Sequence, residues 1–288
     1  MSRKAVIAGA GPAGLTCGMY LAMAGWEVEV FSNEENTMSN LAEASLIRNY
    51  PGFPDGIQGF YLLELFKEQA VMNGVVIRPE GIVEADVQNM HIAIDTNGGR
   101  HEFDEFVIAC GSRPRKFECK GIGLLPVHTC AVCDGSLYNC NSNVIVIGGG
   151  DTAVSSALYL SDIVHNVRLL VRKPQCRCTD RKALAELESR DNVDIMYSTT
   201  LEYVEKTMDG VPVVHVAQQG KYVDIMLMDV DAIFSCIGYD RNEITVHGEC
   251  GNICGDYALG GGGQVATAVG SGAQVALRII ASVGSAVH

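Results

Sequence analysis

A chain of 288 residues, 48% hydrophobic and 19% charged, has the size for one large or two medium domains, and a fold of this length buries roughly three quarters of its unfolded surface. Its 32 glycines against 7% aromatic residues favour the close backbone packing and tight turns of nucleotide-binding α/β folds. The formal charge of −13 argues against general attraction to nucleic acid or to an anionic membrane, because both need Lys and Arg to displace counterions.

The sequence opens MSRKAVIAGAG and enters an apolar strand at once, without the charged, apolar and small-residue succession of a signal peptide. No uninterrupted apolar run is expected to reach the roughly 18 to 20 residues of a membrane helix, and the expected location is the cytoplasm. The 11 cysteines are an odd count, which in a reducing compartment argues against a full disulfide framework. Cys17, Cys110 and Cys236 lie in apolar stretches, where a thiol behaves as a small buried hydrophobe.

From Lys4, the stretch KAVIAGAGPAGLTCGMYLAMAGWEVEVFS reads as an apolar strand, a glycine cluster, a helical pattern and an alternating strand from Val28 to Phe31, a βαβ unit. Gly9, Gly11 and Gly14 stand at GxGxxG spacing. The first allows the tight turn, the second lets the backbone approach a pyrophosphate, and the third lets the helix pack on the strand. A diphosphate there meets the positive end of the helix. Glu34 and Glu35 lie slightly beyond the place expected for a ribose-binding acid, which leaves the ribose contact unassigned.

Turn-rich NYPGFPDG follows, then an expected helix from Gly59 to Asn73 and short alternating strands from Ile82 to Asp95. The strand in FDEFVIACGSRP closes this part. The βαβ pattern returns in SNVIVIGGGDTAVSSALYLSDIVHNVRLLVRK, with Gly148, Gly150 and Ala153 as its fingerprint. Arg172, Lys173 and Arg177 sit where cations for a ribose 2′-phosphate belong; a solvated basic turn is the alternative. Further strands follow in VPVVHVAQ and VDAIFSCIGYD, and the last stretch reads as a loop and a small-residue helix.

Between the two βαβ units stands HTCAVCDG. A structural zinc wants four ligands, usually as two close pairs. Here only His128 and Cys140 flank Cys130 and Cys133, while Cys176 with Cys178 and Cys250 with Cys254 are poorly spaced. A permanent staple conflicts with a reducing cell. The remaining reading is a redox dithiol, because a CxxC turn at a helix start lowers a thiol pKa and closes a small reducible disulfide.

Six motifs in one order, GAGPAG, NYPGFP, CAVCDG, GGGDTAV, IGY and GD followed by GQVATAVGSG, resemble the low-molecular-weight thioredoxin reductases across essentially the whole chain. The resemblance implies an α/β fold of two Rossmann-like nucleotide-binding domains, the second inserted into the first. Residues 1–111 and 239–288 would bind FAD, and residues 112–238 would form an NAD(P)H-binding-like domain carrying the dithiol. Gly9, Gly11, Pro12, Ala13 and Gly14 would hold the FAD pyrophosphate. Asn40 and Asn49 would lie near the flavin, Ala109 and Gly111 match the family's Ala-Thr-Gly turn with Cys110 for threonine, and Gly255 and Asp256 would bind the FAD linker. Gln264 and Val265 would present a helix N-terminus to the flavin. Cys133 would face the flavin, Cys130 would attack the partner disulfide, and Asp134 would shuttle the proton. Thioredoxin as partner and a homodimer are implied likewise.

The departures concern the nicotinamide side. Val171 replaces the family's histidine, Lys173 an arginine, Ser155 and Ser156 two glutamates, and Gly263 a further arginine; the Asn242 to Gly255 segment is short. This pattern resembles the ferredoxin-dependent flavin thioredoxin reductases and points to reduced ferredoxin as donor. The survival of Gly148, Gly150, Ala153, Arg172 and Arg177 keeps NADPH open, since a lysine still holds a phosphate as a point charge. A flavin-dependent oxidase of small dithiols and a non-catalytic nucleotide- and zinc-binding module are the competing functions.

Overall fold

The computed structural model describes residues 2–33, 39–44, 46–218, 224–259 and 263–284. Two compact units emerge: Met1–Arg113 with Tyr239–His288, and Pro114–Gly238.

The first unit is built on a parallel sheet ordered Val76–Arg78, Glu27–Phe31, Lys4–Ala8, Glu105–Ile108. Its central strand, KAVIA, is apolar nearly throughout because both faces are covered. Successive side chains point to opposite faces. Ala5, Ile7, Val28 and Val30 therefore join the helix-side core with Leu15, Leu21, Leu62 and Ile279. Val6, Ala8 and Phe31 meet Ile82, Ala85, Ala93 and Phe106 on the other side. There a four-stranded sheet runs Thr245–His247, Ile82–Asp86, Ile92–Asp95, Arg100–Glu102. Truncating fully buried Leu15 to alanine would cost about 2–5 kcal/mol in transfer and cavity energy.

The second unit repeats the plan. Its parallel sheet is ordered Val193–Tyr197, Asn166–Val171, Asn143–Ile147, Ala232–Ser235, Val127–His128. Helices cover one face through Val144, Val146, Leu160 and Leu187. Ile145, Ile147 and Ile233 point the other way, into the core shared with Leu201, Val214, Val216 and Leu227. Those last residues belong to an antiparallel sheet of Thr199–Lys206, Pro212–Gln218 and Asp224–Met228.

Three details differ from the sequence reading. The expected helix ends at Met72, with Asn73 as its cap. A helix over Arg181–Glu188 went unanticipated; Asp180 starts it by accepting the Ala183 N–H at 3.0 Å. Val265–Val283 is long and apolar enough to cross a membrane by length and composition, although its apolar residues form no uninterrupted run. Its Ala268, Val275, Ala276 and Ile279 are buried in the first unit's core, and its Arg278 bonds the Gly251 carbonyl at 2.8 Å. The sequence reading sought an uninterrupted apolar run, which glycine, serine and Gln274 break up.

Candidate active site

At the end of the Lys4–Ala8 strand the chain turns into the Pro12–Met23 helix. Gly9 has φ +115°, and a Cβ on it would lie 2.1 Å from the Ala109 carbonyl oxygen. A Cβ on Gly14 would lie 1.9 Å from the Gly9 oxygen. At Gly11 the nearest atom to a Cβ would be Ser39 Oγ at 3.7 Å. The turn is thus closed against protein at its outer glycines and open at the middle one. The helix N-terminus has no side-chain cap and no acidic residue in its first turn. These are the features that admit a diphosphate onto free helix N–H groups, so the residues present fit a dinucleotide such as FAD.

The other residues named for that cofactor converge on the same unit. Asn40 donates to the Ser112 carbonyl at 3.0 Å, and Ser112 Oγ donates to Asp256 Oδ2 at 3.3 Å. Asn49 donates to Gln264 Oε1 at 2.8 Å, immediately before the helix that starts at Val265. Gly255 takes φ +67°, where a Cβ would meet that of Ala13 at 2.8 Å. Gly111, also at φ +67°, faces open space. A Cβ on Gly263 would strike the Asp256 carboxylate at 2.2 Å, which explains locally why a long side chain does not stand there. Glu34 and Glu35 lie outside the described residues. Ser112 was not anticipated: it lies 72 residues from Asn40 and 144 from Asp256, with no local motif to mark it.

In the second unit Gly148 is closed against the Cys236 oxygen at 2.4 Å, Gly150 faces open space, and Ala153 is fully buried. The following loop is tied back to this turn: the Arg177 N–H donates to the Gly149 oxygen at 2.6 Å. Beneath it, Asp151 accepts from Cys178 Sγ at 3.0 Å, Thr179 N at 2.6 Å and Thr179 Oγ1 at 2.9 Å. Burial pushes the Asp151 carboxyl up, but these bonds outweigh it and hold the carboxyl below the ordinary aspartate value. Cys176 and Cys178 are buried while Arg172, Lys173 and Arg177 are exposed. Asp151 was missed as the anchor of this loop; its place directly after the glycines was the available signal.

Cys130 and Cys133 form a disulfide. Cys130 caps the short Ala131–Asp134 helix, its sulfur accepting the Cys133 N–H at 3.1 Å. Cys130 is buried and Cys133 exposed. Asp134 Oδ2 lies 3.0 Å from His128 Nδ1, and His128 Nε2 lies 2.7 Å from the Tyr138 hydroxyl. The sequence reading weighed His128 only as a zinc ligand. With the two sulfurs joined and His128 turned to Asp134 and Tyr138, the zinc set of His128, Cys130, Cys133 and Cys140 is not assembled. Among the described residues no three His, Cys, Asp or Glu side chains are arranged to hold a metal.

The remaining thiols are poor nucleophiles where burial acts on them. It pushes Cys110 and Cys254 up to about 12 and Cys236 to about 11. Cys17 is buried as expected, whereas Cys110 and Cys236 are only partly so.

The family described as pyridine nucleotide-disulphide oxidoreductase matches residues 3–256. A thioredoxin reductase of Borreliella burgdorferi is 34% identical over 245 residues, 82% of this chain and 72% of that protein. An NADPH-dependent thioredoxin reductase 3 of Arabidopsis thaliana is 30% identical over 85% of this chain and 47% of its own length. The crystal structure of T. acidophilum thioredoxin reductase has the same fold, with a TM-score of 0.85 at 23% identity over 98% of this chain and 99% of that one. The chain therefore belongs to the pyridine nucleotide-disulphide oxidoreductases and, within them, to the low-molecular-weight thioredoxin reductase family.

Proposed function

We propose that this protein is a cytoplasmic, homodimeric flavoenzyme that reduces the disulfide of thioredoxin through Cys130 and Cys133. The observation that carries the reading is the Cys130–Cys133 disulfide, followed directly by Asp134, in a chain with two open dinucleotide turns. Gly9, Gly11, Pro12, Ala13 and Gly14 would hold the FAD diphosphate, with Asn40, Asn49, Ala109, Gly111, Gly255, Asp256, Gln264 and Val265 around the rest of the cofactor. When bound, FAD supplies a two-electron relay between the donor and the disulfide.

Once reduced, the dithiol works by exchange. The Cys133 N–H that points at Cys130 Sγ is placed to donate to negative charge on that sulfur. The Cys130 thiolate attacks a thioredoxin sulfur, the substrate S–S bond breaks, and one thiolate leaves. Cys133 then attacks Cys130, releasing the second substrate sulfur and restoring the internal disulfide. The substrate gains two electrons and two protons, and Asp134 hands a proton to a leaving sulfur.

NADPH is the donor we favour. Gly150 is open, Arg172, Lys173 and Arg177 stand exposed on a loop anchored at both Gly149 and Asp151, and the Arabidopsis relative is named as NADPH-dependent. Reduced ferredoxin is the second reading, favoured by Val171, Ser155 and Ser156 in place of a histidine and two glutamates; the same cations would dock an acidic partner. Anaerobic mixing of the oxidised holoenzyme with NADPH, or with reduced ferredoxin, while flavin absorbance is followed distinguishes the two. Rapid bleaching by NADPH supports the first; bleaching by ferredoxin alone supports the second; bleaching by neither refutes both.

A further inference from the structure

The imidazole of His128 stands behind the Asp134 carboxyl. A carboxylate 3.0 Å from Nδ1 requires the proton on that nitrogen, which leaves Nε2 of the neutral ring to accept from the Tyr138 O–H at 2.7 Å. The ring cannot readily turn away. It stacks on Phe234 with centroids 5.0 Å apart and meets the Tyr138 ring edge-on at 5.6 Å. Phe234 is fully buried, on the strand that pairs with His128 itself. The His128 side chain is 15% exposed against 36% for Asp134, so the carboxyl is the more open of the two.

We propose that His128 is a positioning residue and proton relay for Asp134. The proposal rests on the reading of Cys130 and Cys133 as an exchange dithiol. After Asp134 has given its proton to a leaving sulfur, the carboxylate takes the Nδ1 proton of the imidazolium form, whose Nε2–H then faces the Tyr138 oxygen. Tyr138 serves either form because a hydroxyl both donates and accepts. No electrons move in this step, and solvent returns the proton to the ring. A neutral amide in place of the ring would keep the hydrogen bond to Asp134 but carry no spare proton. Among the described residues, Asp134 and Tyr138 bond the ring, and Asp231 acts on Tyr138. Asp231 accepts the Asn143 N–H at 2.7 Å and, after burial and together with Asp134, pushes the Tyr138 phenol up.

The test compares two disulfides in anaerobic single turnovers of dithionite-reduced holoenzyme across pH. Thioredoxin thiols must be protonated as they leave, whereas the acidic aryl thiolate of dithiobis(nitrobenzoate) leaves without a proton. His128→Gln should slow thioredoxin reduction about tenfold near neutral pH and delete an ionisation from its pH profile, while leaving the aryl disulfide rate unchanged. Tyr138→Phe should keep that ionisation, because the imidazole and its contact with Asp134 remain. Equal slowing toward both disulfides, or an unaltered pH profile in His128→Gln, would overturn the proposal. If the wild-type enzyme reduces the aryl disulfide but not thioredoxin, the proposed substrate is wrong. The relay is then read with bis(2-hydroxyethyl) disulfide, whose leaving thiols also need protons, and the same two outcomes decide it.

Discussion

Alanine at Gly11 and alanine at Gly9 should have opposite consequences, although the residues are neighbours in one turn. Gly11 has φ −79°, which any residue adopts, and a Cβ there meets nothing nearer than 3.7 Å. The flavin-free Gly11→Ala protein should therefore unfold within about 0.5 kcal/mol of wild type. The new methyl projects where a diphosphate would approach, so FAD affinity should fall at least tenfold, or about 1.4 kcal/mol. Gly9→Ala instead imposes φ +115° on an L-residue and drives a Cβ to 2.1 Å from Ala109 O. The backbone strain alone is about 1–3 kcal/mol, and the clash is with main chain that can relieve it only by moving a strand end. Denaturant unfolding of the flavin-free proteins, followed by titration with FAD, reads both quantities. Wild-type FAD affinity in Gly11→Ala, or equal destabilisation by the two substitutions, would refute the assignment of the open glycine to the cofactor.

Asp134→Asn should leave FAD bound and slow thioredoxin reduction about 10²–10⁴-fold, the usual worth of general acid–base help, as read in stopped-flow traces. Replacing Arg172 and Arg177 together with alanine should raise the KM for NADPH and narrow its preference over NADH, because a guanidinium holds the 2′-phosphate and NADH has none; steady-state kinetics with both nucleotides check this. Acid unfolding should report Glu29. Burial pushes its carboxyl up, but Lys4 and Arg78, at 2.6 and 2.7 Å, outweigh that and hold it low. Its contribution is then full above the unfolded value, about 4.3, and is lost as pH falls through the lower folded value. Glu29→Gln should flatten that acid limb in denaturant titrations at a series of pH values.

Both glycine turns were legible because their logic is local: an apolar strand, three small residues and a helix follow one another directly, from Lys4 to Met23 in the first unit. The dithiol was legible for the same reason. What the turns are closed against was not. The oxygens that exclude a Cβ at Gly9 and Gly148 belong to Ala109 and Cys236, each just past the end of a strand far downstream. The bonds linking Asn40, Ser112 and Asp256 depend on three distant segments meeting over one site. His128 was visible as a histidine near CxxC, yet its role depends on the short helix after Cys130, which turns Asp134 back onto the ring. The long C-terminal helix shows the same limit. Composition describes its apolar side chains, and only packing tells that they face the helix beginning at Pro12.

Electrons should reach a thioredoxin disulfide through Cys130 and Cys133. The direct measurement is the number of thioredoxin thiols formed when one equivalent of dithionite-reduced, FAD-loaded protein is mixed anaerobically with oxidised thioredoxin, and the mixture is then separated under denaturing, non-reducing conditions. Wild type should release thioredoxin with both thiols free, and Cys133→Ser should instead hold it as a mixed disulfide on Cys130. Absence of thioredoxin thiols with wild type, or their formation by a protein lacking both cysteines, would rule out this route.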